Sequence, residues 1–339
     1  MNRTAVILFN LGGPDTPEAV RPFLFNLFYD PAIIGLPNPL RWFVAKLISA
    51  RRAPTARHIY AEMGGGSPIL PNTLVQARAL ESALADLGEV RCFPAMRYWH
   101  PMTEAVAREV ATFAPTQILL LPLYPQFSTT TTASSKKAWD RAARAAGITA
   151  PTHYACCYPR QPGFVSAIAD LIAPHYEKAL AHGRPRILFS AHGLPKKIVD
   201  AGDPYQAQVE MTVAAVVEKL ALPGLDHVVC YQSRVGPLEW IGPSTEDEIA
   251  RAGRERVPAV VVPVAFVSEH SETLVELDIE YRKRAAQTGV PFYTRVPTVS
   301  AHPDFIRGLA DIARALVRKP PVVPARICPG HCAKCPTAA

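Results

Sequence analysis

Continuous apolar runs rich in Val, Ile and Leu recur along the chain and constrain its fold more than any other feature. They occupy 5–9, 118–123, 187–189, 228–230 and 258–267. Runs without polar alternation are typical of parallel strands that are covered on both faces. Apolar spacings of three and four predict helices between them, at 74–87, 102–113, 136–146, 163–181, 205–221, 272–287 and 303–317. The pattern therefore predicts an α/β fold built on parallel sheets.

The second half of the chain repeats the plan of the first half. The echoed pairs are "ILFNLGGP" at 7–14 with "ILFSAHGLP" at 187–195, "AMRYWHPMTEAVAREV" at 95–110 with "YQSRVGPLEWIGPSTEDEIARA" at 231–252, and "ILLLPLYPQFS" at 118–128 with "AVVVPVAFVSEH" at 259–270. Such self-similarity indicates a duplicated α/β unit. We predict a first lobe at 1–155, a second lobe at 156–318 and a tail at 319–339. Ligands of open parallel sheets bind at the carboxyl ends of the strands, where each echoed motif lies.

Composition excludes several classes of protein. With 49% hydrophobic and 19% charged residues among 339, the chain is globular and not disordered. No apolar stretch approaches the ~18 residues that a membrane-spanning helix needs. The opening "MNRTAVILFNLGGP" lacks a small-residue cleavage site, so we interpret it as a first strand and expect a cytoplasmic protein. The glycine-rich "MGGGSPIL" at 63–70 lacks the spacing of a dinucleotide or phosphate loop.

A basic and apolar segment lies at 33–52. No acidic residue occurs between Asp30 and Glu62, whereas five cations alternate there with large apolar residues. The formal charge of +7 favours anionic partners in general. The segment suits a membrane surface or an amphipathic carboxylate ligand, and an ordinary amphipathic helix with a solvated cationic face explains it equally. Because its cations do not form a polar stripe, we expect no nucleic-acid partner.

One histidine and a row of acids are predicted at the same rim. His192 lies in a predicted turn, 190–195, directly after the buried strand 187–189, a position where a histidine by itself is more often structural than catalytic. Glu272, Glu276 and Glu280 lie four residues apart on a predicted helix that starts at the tip of the run 258–267. A solvated helix face is the ordinary explanation, although like charges at this spacing repel. An imidazole facing carboxylates can bind a divalent cation and accept protons, whereas structural zinc sites are closed by four Cys or His ligands.

Five motifs together resemble the ferrochelatase family, enzymes that insert ferrous iron into a porphyrin. They are "FSAHGLP", "YQSRVGPLEW", "GGGSP", "MRYWHP" and "SEHSETLVELDIEY", and the resemblance runs from about residue 5 to about residue 320. It implies two Rossmann-like lobes, each a four-stranded parallel β-sheet flanked by helices, with a porphyrin cleft between them. It also implies that the segment 33–52 is a hydrophobic lip that rests on a membrane, which would place this cytoplasmic protein peripherally at the inner face of the membrane.

The resemblance assigns site residues position by position. His192 and Glu272 match the catalytic histidine and its carboxylate partner, and Glu276 and Glu280 are expected to continue inward as a path for iron or protons. His270 falls within the same motif and is expected among the groups that bind the substrate iron. The positions that match porphyrin-binding residues are Arg52, Tyr60, Ser67, Arg97, Tyr98, Trp240 and Ile34, the last aligning with a pocket methionine of some relatives. We expect His192 to take the pyrrole protons while Glu272 holds iron or orients the imidazole, and the reverse assignment stays open. Iron is then a substrate and not a permanent cofactor.

Three cysteines close together near the end of the chain predict a metal centre. Cys328, Cys332 and Cys335 occur in "RICPGHCAKCPTAA", and disulfides are rare in the cytoplasm. Cys157 or Cys156 can supply a fourth ligand. Some bacterial ferrochelatases carry a [2Fe–2S] cluster bound by one internal and three C-terminal cysteines, which this pattern resembles. Zinc, with His331 as a further ligand, and free thiols are the alternatives. A cluster would be structural or sensory, because metal insertion involves no net electron transfer.

The expected substrates are protoporphyrin IX and ferrous iron. Coproporphyrin is the alternative porphyrin, but its extra carboxylates call for more cations than the apolar lip offers. Cobalt or nickel chelation is a second alternative, because the same groups bind those ions more tightly. A non-catalytic tetrapyrrole carrier or an iron–sulfur sensor is a third, and neither requires His192 to face an acidic row. The sequence leaves a monomer and a homodimer equally open.

Overall fold

Two parallel β-sheets of identical strand order organise the chain. The computed structural model describes residues 2–234, 236–318 and 327–336. Within them the chain forms two compact units, the first holding 2–157 and 309–318 and the second holding the remainder. The predicted lobe boundary near 155 lies close to the observed one, but the last part of the final helix belongs to unit 1. Of the tail predicted at 319–339, residues 319–326 and 337–339 lie outside the described residues.

Unit 1 contains a four-stranded sheet with its most apolar strand inside. The strand order is β2-β1-β3-β4, and all neighbours run parallel. The strands are β1 (Arg3–Asn10), β2 (Glu89–Met96), β3 (Gln117–Pro122) and β4 (Thr152–Tyr154). Val6 of β1 pairs with Cys92 on one side and with Leu119 on the other. Because β1 has a neighbour on both sides and is buried on both faces, its apolar run is uninterrupted.

Unit 2 repeats this topology. Its sheet has the order β6-β5-β7-β8, again parallel throughout. The strands are β5 (Arg186–His192), β6 (Asp226–Gln232), β7 (Ala259–Pro263) and β8 (Tyr293–Arg295). The loop after the second strand of each sheet closes in the same way, since Met96 N donates to Pro101 O at 2.9 Å and Tyr231 N donates to Pro243 O at 2.9 Å. The predicted pair of four-stranded parallel sheets is confirmed, and the matched orders support the predicted duplication.

Helices connect the strands in both units. Unit 1 has α1 (Val20–Tyr29), α2 (Leu40–Ala61), α3 (Ile69–Ala83), α4 (Thr103–Phe113) and α5 (Thr132–Ala145). Unit 2 has α6 (Pro162–Leu180), α7 (Lys196–Asp200), α8 (Tyr205–Leu220), α9 (Thr245–Glu255) and α10 (Tyr281–Thr288), and α11 (Pro303–Arg318) runs from unit 2 into unit 1. No helix in the described ranges combines the length and the hydropathy needed to cross a bilayer.

The acidic segment does not form the α-helix that its spacing predicts. Residues Glu272–Glu280 form a π-helix, and α-helical geometry begins only at Tyr281. The amide of Tyr281 donates to the carbonyl of Glu276, five residues earlier. The predicted strand 258–267 is also shorter than expected, because it ends at Pro263 and a turn leads into the π-helix. Side chains four residues apart still neighbour each other in this wider helix, and π-helical turns are frequent at functional sites.

Candidate active site

His192 is the last residue of β5, and the alternation of side chains along the strand sets the side to which it points. Residues Ile187, Leu188 and Phe189 are buried, and His192 lies on the same side of the strand as the buried Ser190. Gly193 follows, and its amide donates to Gln232 O at 2.9 Å. A Cβ at Gly193 would lie 3.2 Å from Cε3 of Trp240. Glycine after His192 therefore allows the Trp240 ring to pack directly on the strand tip.

His192 and Glu272 form an ion pair. His192 Nδ1 lies 2.8 Å from Glu272 Oε2, and the two side chains are 41% and 23% exposed. Desolvation disfavours the charged imidazole, but the charge and hydrogen bond of Glu272 outweigh it, so the pKa of His192 lies above its ordinary value. Burial likewise opposes ionisation of Glu272, yet His192 and then His270 lower the pKa of Glu272 to about 2. Glu272 is thus a carboxylate at neutral pH, and it favours the imidazolium form of His192.

Glu276 is held by four donors close to this pair. Its Oε1 accepts from Ser233 N at 2.8 Å and from Tyr281 Oη at 2.9 Å. Its Oε2 accepts from Gln232 Nε2 at 3.1 Å and from the hydroxyl of Ser233. Burial, followed by the negative charge of Glu272, raises the pKa of Glu276, and the donors only partly offset this. The environment therefore shifts the pKa values of the two neighbouring carboxyls in opposite directions, so Glu272 ionises more readily than Glu276.

His270 has a defined tautomer. Its Nδ1 lies 3.0 Å from the carbonyl oxygen of Ser268, so this nitrogen carries the proton and donates it. In the neutral ring the other nitrogen, Nε2, then has a free lone pair, and it lies 4.0 Å from Glu272 Oε1. A histidine that donates one N–H to a carbonyl is oriented as metal-ligating histidines are. Two ligand atoms at about 2.1 Å from one divalent ion and at about 90–109° to each other lie about 3.0–3.4 Å apart, so both atoms could contact one ion if they approached each other by about 0.6–1 Å.

The remaining acids of the row do not join this group. Glu280 is exposed at the end of the π-helix, which makes it the outer member of the predicted path and not an inner one. Glu269 and Asp278 instead pair with Arg295, at 2.7 Å from Nη1 in the case of Glu269. Only part of the acidic segment therefore faces His192.

Two of the predicted site residues of unit 1, Arg97 and Tyr98, contact a buried acid. Asp30 is 4% exposed and accepts from Arg97 Nη2 at 2.7 Å, from Tyr98 Oη at 2.8 Å and from the hydroxyl of Ser134. Arg97 Nε also donates to Ser134 Oγ at 2.7 Å. Tyr98 is buried, and desolvation followed by the charge of Asp30 raises its pKa far above the ordinary value. Tyr98 thus supports this part of unit 1 from the interior, and Arg97 is the partly exposed member.

The other unit 1 residues lie at different depths. Tyr60 is buried in the same apolar cluster as Tyr98, and Ser67 is partly exposed with its amide donating to Pro14 O at 2.7 Å. Arg52 is exposed, with its guanidinium carbon 5.8 Å from the centroid of the Phe28 ring. Ile34 is partly buried. In unit 2, Trp240 has a buried indole N–H that meets no acceptor among the described residues.

Three buried thiols converge in unit 2. Cys328, Cys332 and Cys335 form one cluster against Ala207, and Gln208 Nε2 lies 3.1 Å from Cys328 Sγ. Desolvation, with the neighbouring thiols, raises the pKa of Cys328 to about 11. In unit 1 the sulfurs of Cys156 and Cys157 lie 3.3 Å apart. Three thiols gathered in so short a segment fit a metal centre, because cysteines bind metals as thiolates and metal binding displaces the thiol proton.

Four residues at these sites were missed by sequence reasoning. Gln232 and Ser233 belong to the motif "YQSRVGPLEW", and Tyr281 ends the motif "SEHSETLVELDIEY", so motif membership is the signal that could have found them. Asp30 gives no comparable signal, because nothing local marks an acid that receives donors from residues about 70 and 100 positions away.

Comparisons with known proteins agree with this geometry. The family model described as Ferrochelatase matches residues 3–316. The chain is 55% identical to the Ferrochelatase of Caulobacter vibrioides (strain NA1000 / CB15N) over 98% of this chain and 97% of that protein. It is 54% identical to the Ferrochelatase of Phenylobacterium zucineum (strain HLK1), with the same coverage.

The fold has a matching solved structure. SirB from Bacillus subtilis, solved with Fe3+, superposes with a TM-score of 0.55 at 12% identity, covering 93% of this chain and 96% of that one. At this identity the likeness concerns the fold alone. The strand orders, the His192–Glu272 pair and the two sequence comparisons lead to the same assignment: the chain belongs to the ferrochelatase family.

Proposed function

We propose that the chain inserts Fe(II) into protoporphyrin IX, releasing two protons and forming protohaem. The observation that carries the proposal is the His192–Glu272 ion pair, with His270 and Glu276 beside it. A base and a group of metal ligands at one strand tip are the parts that this reaction needs, because protons must leave the pyrrole nitrogens while the ion sheds water.

The pair favours His192 as the proton acceptor. Its Nδ1 faces Glu272, so in the neutral ring this nitrogen holds the proton and Nε2 is left as the base. Before the ion binds, the charge of Glu272 raises the pKa of His192 and favours the imidazolium form. A divalent cation held by Glu272 would offset that charge, so the imidazolium would release its proton to water and the neutral ring could accept one from the porphyrin.

Glu272 and His270 are then the groups proposed to hold the arriving ion. Glu276 and Glu280 extend the carboxylates from this pair to the exposed end of the π-helix. Arg52, Tyr60 and Ser67 are proposed to hold the porphyrin propionates. The proposed pocket residues are Arg97, Tyr98, Ile34 and Trp240. Ring strain of about 1–5 kcal/mol, drawn from these remote contacts, would expose the nitrogen lone pairs.

The proposal is tested by anaerobic haem formation from Fe(II) and protoporphyrin, followed by absorption. His192→Ala should lose at least about 100-fold in kcat, the lower range for a general base. His227→Ala, at an exposed histidine of β6, is the matched control and should keep wild-type turnover. Near wild-type turnover by His192→Ala would refute the role given to His192, and absence of product with the wild-type chain would refute the activity. Parallel reactions with coproporphyrin, Co(II) and Ni(II) test the alternative substrates.

We further propose that Cys328, Cys332 and Cys335, with Cys157 or else Cys156, bind a [2Fe–2S] cluster. The convergence of three buried thiols in unit 2 supports this, and the cluster would have a structural or sensory role. Protein purified without oxygen should absorb in the visible range and contain iron and acid-labile sulfide. Cys332→Ser should abolish both, whereas Cys92→Ser, at a buried cysteine of β2, should not. A colourless protein containing zinc would refute the cluster.

A membrane contact through the lip is the third part of the proposal. Leu40, Phe43 and Leu47 of α2 are 57%, 59% and 69% exposed, and Lys46 and Arg51 lie on the same helix. Apolar side chains interleaved with cations suit an anionic lipid surface. Phe43→Ser with Leu47→Ser should weaken co-sedimentation with phosphatidylglycerol vesicles, whereas Leu180→Ser, at an equally apolar exposed position of α6, should not. Equal binding by all variants would refute the contact.

A further inference from the structure

Gln232 links the buried Ser190 of β5 to Glu276 of the π-helix by hydrogen bonds at the two ends of its amide. Its Oε1 accepts from Ser190 Oγ at 2.7 Å, and Ser190 Oγ is in turn 2.8 Å from Thr245 Oγ1. All three residues are buried. The Nε2 end lies 3.1 Å from Glu276 Oε2 and donates to it, because a carboxylate only accepts. The hydroxyl of Ser190 donates to the opposite end, so hydrogen bonds at both ends hold the amide in one orientation.

Glu276 needs such a restraint because of its neighbour. The hydroxyl of Ser233 lies within hydrogen-bond distance of Glu276 and 3.4 Å from Glu272 Oε2, so the two carboxylates are close together. Like charges at this separation repel, and Glu276 lies on a helix that ends at the surface. Without donors on its inner side, the carboxylate would be expected to turn away from Glu272 toward water.

We propose that Gln232 is a positioning residue for metal insertion, which holds the Glu276 carboxylate beside Glu272 through an amide oriented by Ser190. This assignment rests on the proposed function. Gln232 acts through Glu276 and touches neither iron nor porphyrin. Replacing Gln232 should therefore lower kcat/KM for Fe(II) and leave KM for porphyrin unchanged.

Gln232→Leu tests the assignment. A hydrogen bond to a carboxylate is strong enough that its loss should lower kcat/KM for Fe(II) by about tenfold, even with the other donors in place. KM for porphyrin should stay within twofold of the wild-type value. The melting temperature should fall by about 2–4 °C, because Ser190 and Glu276 each lose a buried or partly buried hydrogen bond. Gln206→Leu is the matched control, because Gln206 Nε2 also donates to a carboxylate, Glu210, at 3.1 Å, but on the surface of α8. This control should have wild-type kinetics.

A double-mutant cycle separates positioning from a general structural role. In a Glu276→Ala background, Gln232→Leu should cause no further loss, because the group through which it acts is gone. An undiminished tenfold loss in that background, or a loss carried by KM for porphyrin, would overturn the assignment. An undiminished loss would indicate that Gln232 acts through the carbonyl of Glu272, which lies 3.3 Å from Gln232 Nε2. Gln232→Met, which keeps the length of the side chain, lacks the donor and adds no charge, provides the same test if Gln232→Leu does not fold.

A readout without turnover distinguishes this assignment from the proposed function. Mn(II) favours carboxylate over thiolate ligands, so its binding in the absence of porphyrin, followed by electron paramagnetic resonance, reports on the acidic group. Gln232→Leu should weaken this binding by about tenfold, equal to the kinetic effect and about 1.4 kcal/mol. Unchanged Mn(II) affinity would overturn the assignment even if haem formation is normal, and weakened affinity would support it even if no haem is formed.

Discussion

Replacing Gly193 by alanine probes how tightly the tip of β5 is packed. The added methyl group would lie 3.0 Å from Gln232 O, 3.2 Å from Trp240 Cε3 and 3.4 Å from Arg234 Cγ. Arg234 is flexible and exposed and can move, but the carbonyl belongs to β6 and already accepts the Gly193 amide at 2.9 Å. Gly193 does not adopt a positive φ, so alanine meets no backbone penalty there. The cost is therefore steric.

The magnitude follows from two opposing effects. Overpacking by one methyl group costs about 1–3 kcal/mol, and restriction of the unfolded chain returns about 0.4–1 kcal/mol. A net loss of roughly 1 kcal/mol should lower the melting temperature by about 2–4 °C. Relief of the contact would shift Trp240 and the strand tip by a few tenths of an ångström. A misplacement of catalytic groups by 1 Å can lower the rate about 100-fold. For a shift of a few tenths of an ångström we therefore expect kcat/KM to fall about three- to tenfold.

The assay compares thermal unfolding of Gly193→Ala with that of Gly35→Ala, and anaerobic haem formation of Gly193→Ala with that of His227→Ala. A Cβ added at Gly35 meets no atom of the described residues within 4 Å, and its φ is not positive, so Gly35→Ala should keep the wild-type melting temperature. If Gly193→Ala melts at or above the wild-type temperature with full activity, the packing argument for a glycine after His192 is wrong.

Two further predictions follow from the charged groups. Asp30→Asn should lower the free energy of unfolding by about 3 kcal/mol in urea denaturation, because it leaves the Arg97 guanidinium, only 19% exposed, without its anion. Asp140→Asn, whose side chain is 37% exposed, should cost less than about 1 kcal/mol, and equal losses would contradict the argument. Glu272→Gln should lower the pKa of His192, because the charge and the hydrogen bond of Glu272 are lost and only the charge of Glu276 then opposes the effect of burial. A titration by NMR should show the His192 midpoint at lower pH in the variant, and an unmoved midpoint would refute the ion pair.

The predicted acidic row shows where sequence reasoning succeeded and where it failed. The spacing of Glu272 and Glu276 correctly placed two carboxylates near one another, since residues four apart are neighbours in α- and π-helices alike. The helix type was wrong, because the choice between i→i−4 and i→i−5 hydrogen bonds depends on tertiary contacts such as Gln232 with the carbonyl of Glu272. The spacing also could not show that Glu280 ends exposed.

The sequence by itself determined the two parallel sheets, their duplication and the delivery of His192 to a strand tip. These depend on local periodicity and on self-similarity, both of which are written in the order of residues. Tertiary structure decided which acid faces which cation. Of two chemically equal carboxylates, Glu272 forms an ion pair with His192 and Glu269 forms one with Arg295. That choice follows from distances of a few ångströms between segments far apart in the chain, because charge pairing and desolvation depend on position in space and not on position in sequence.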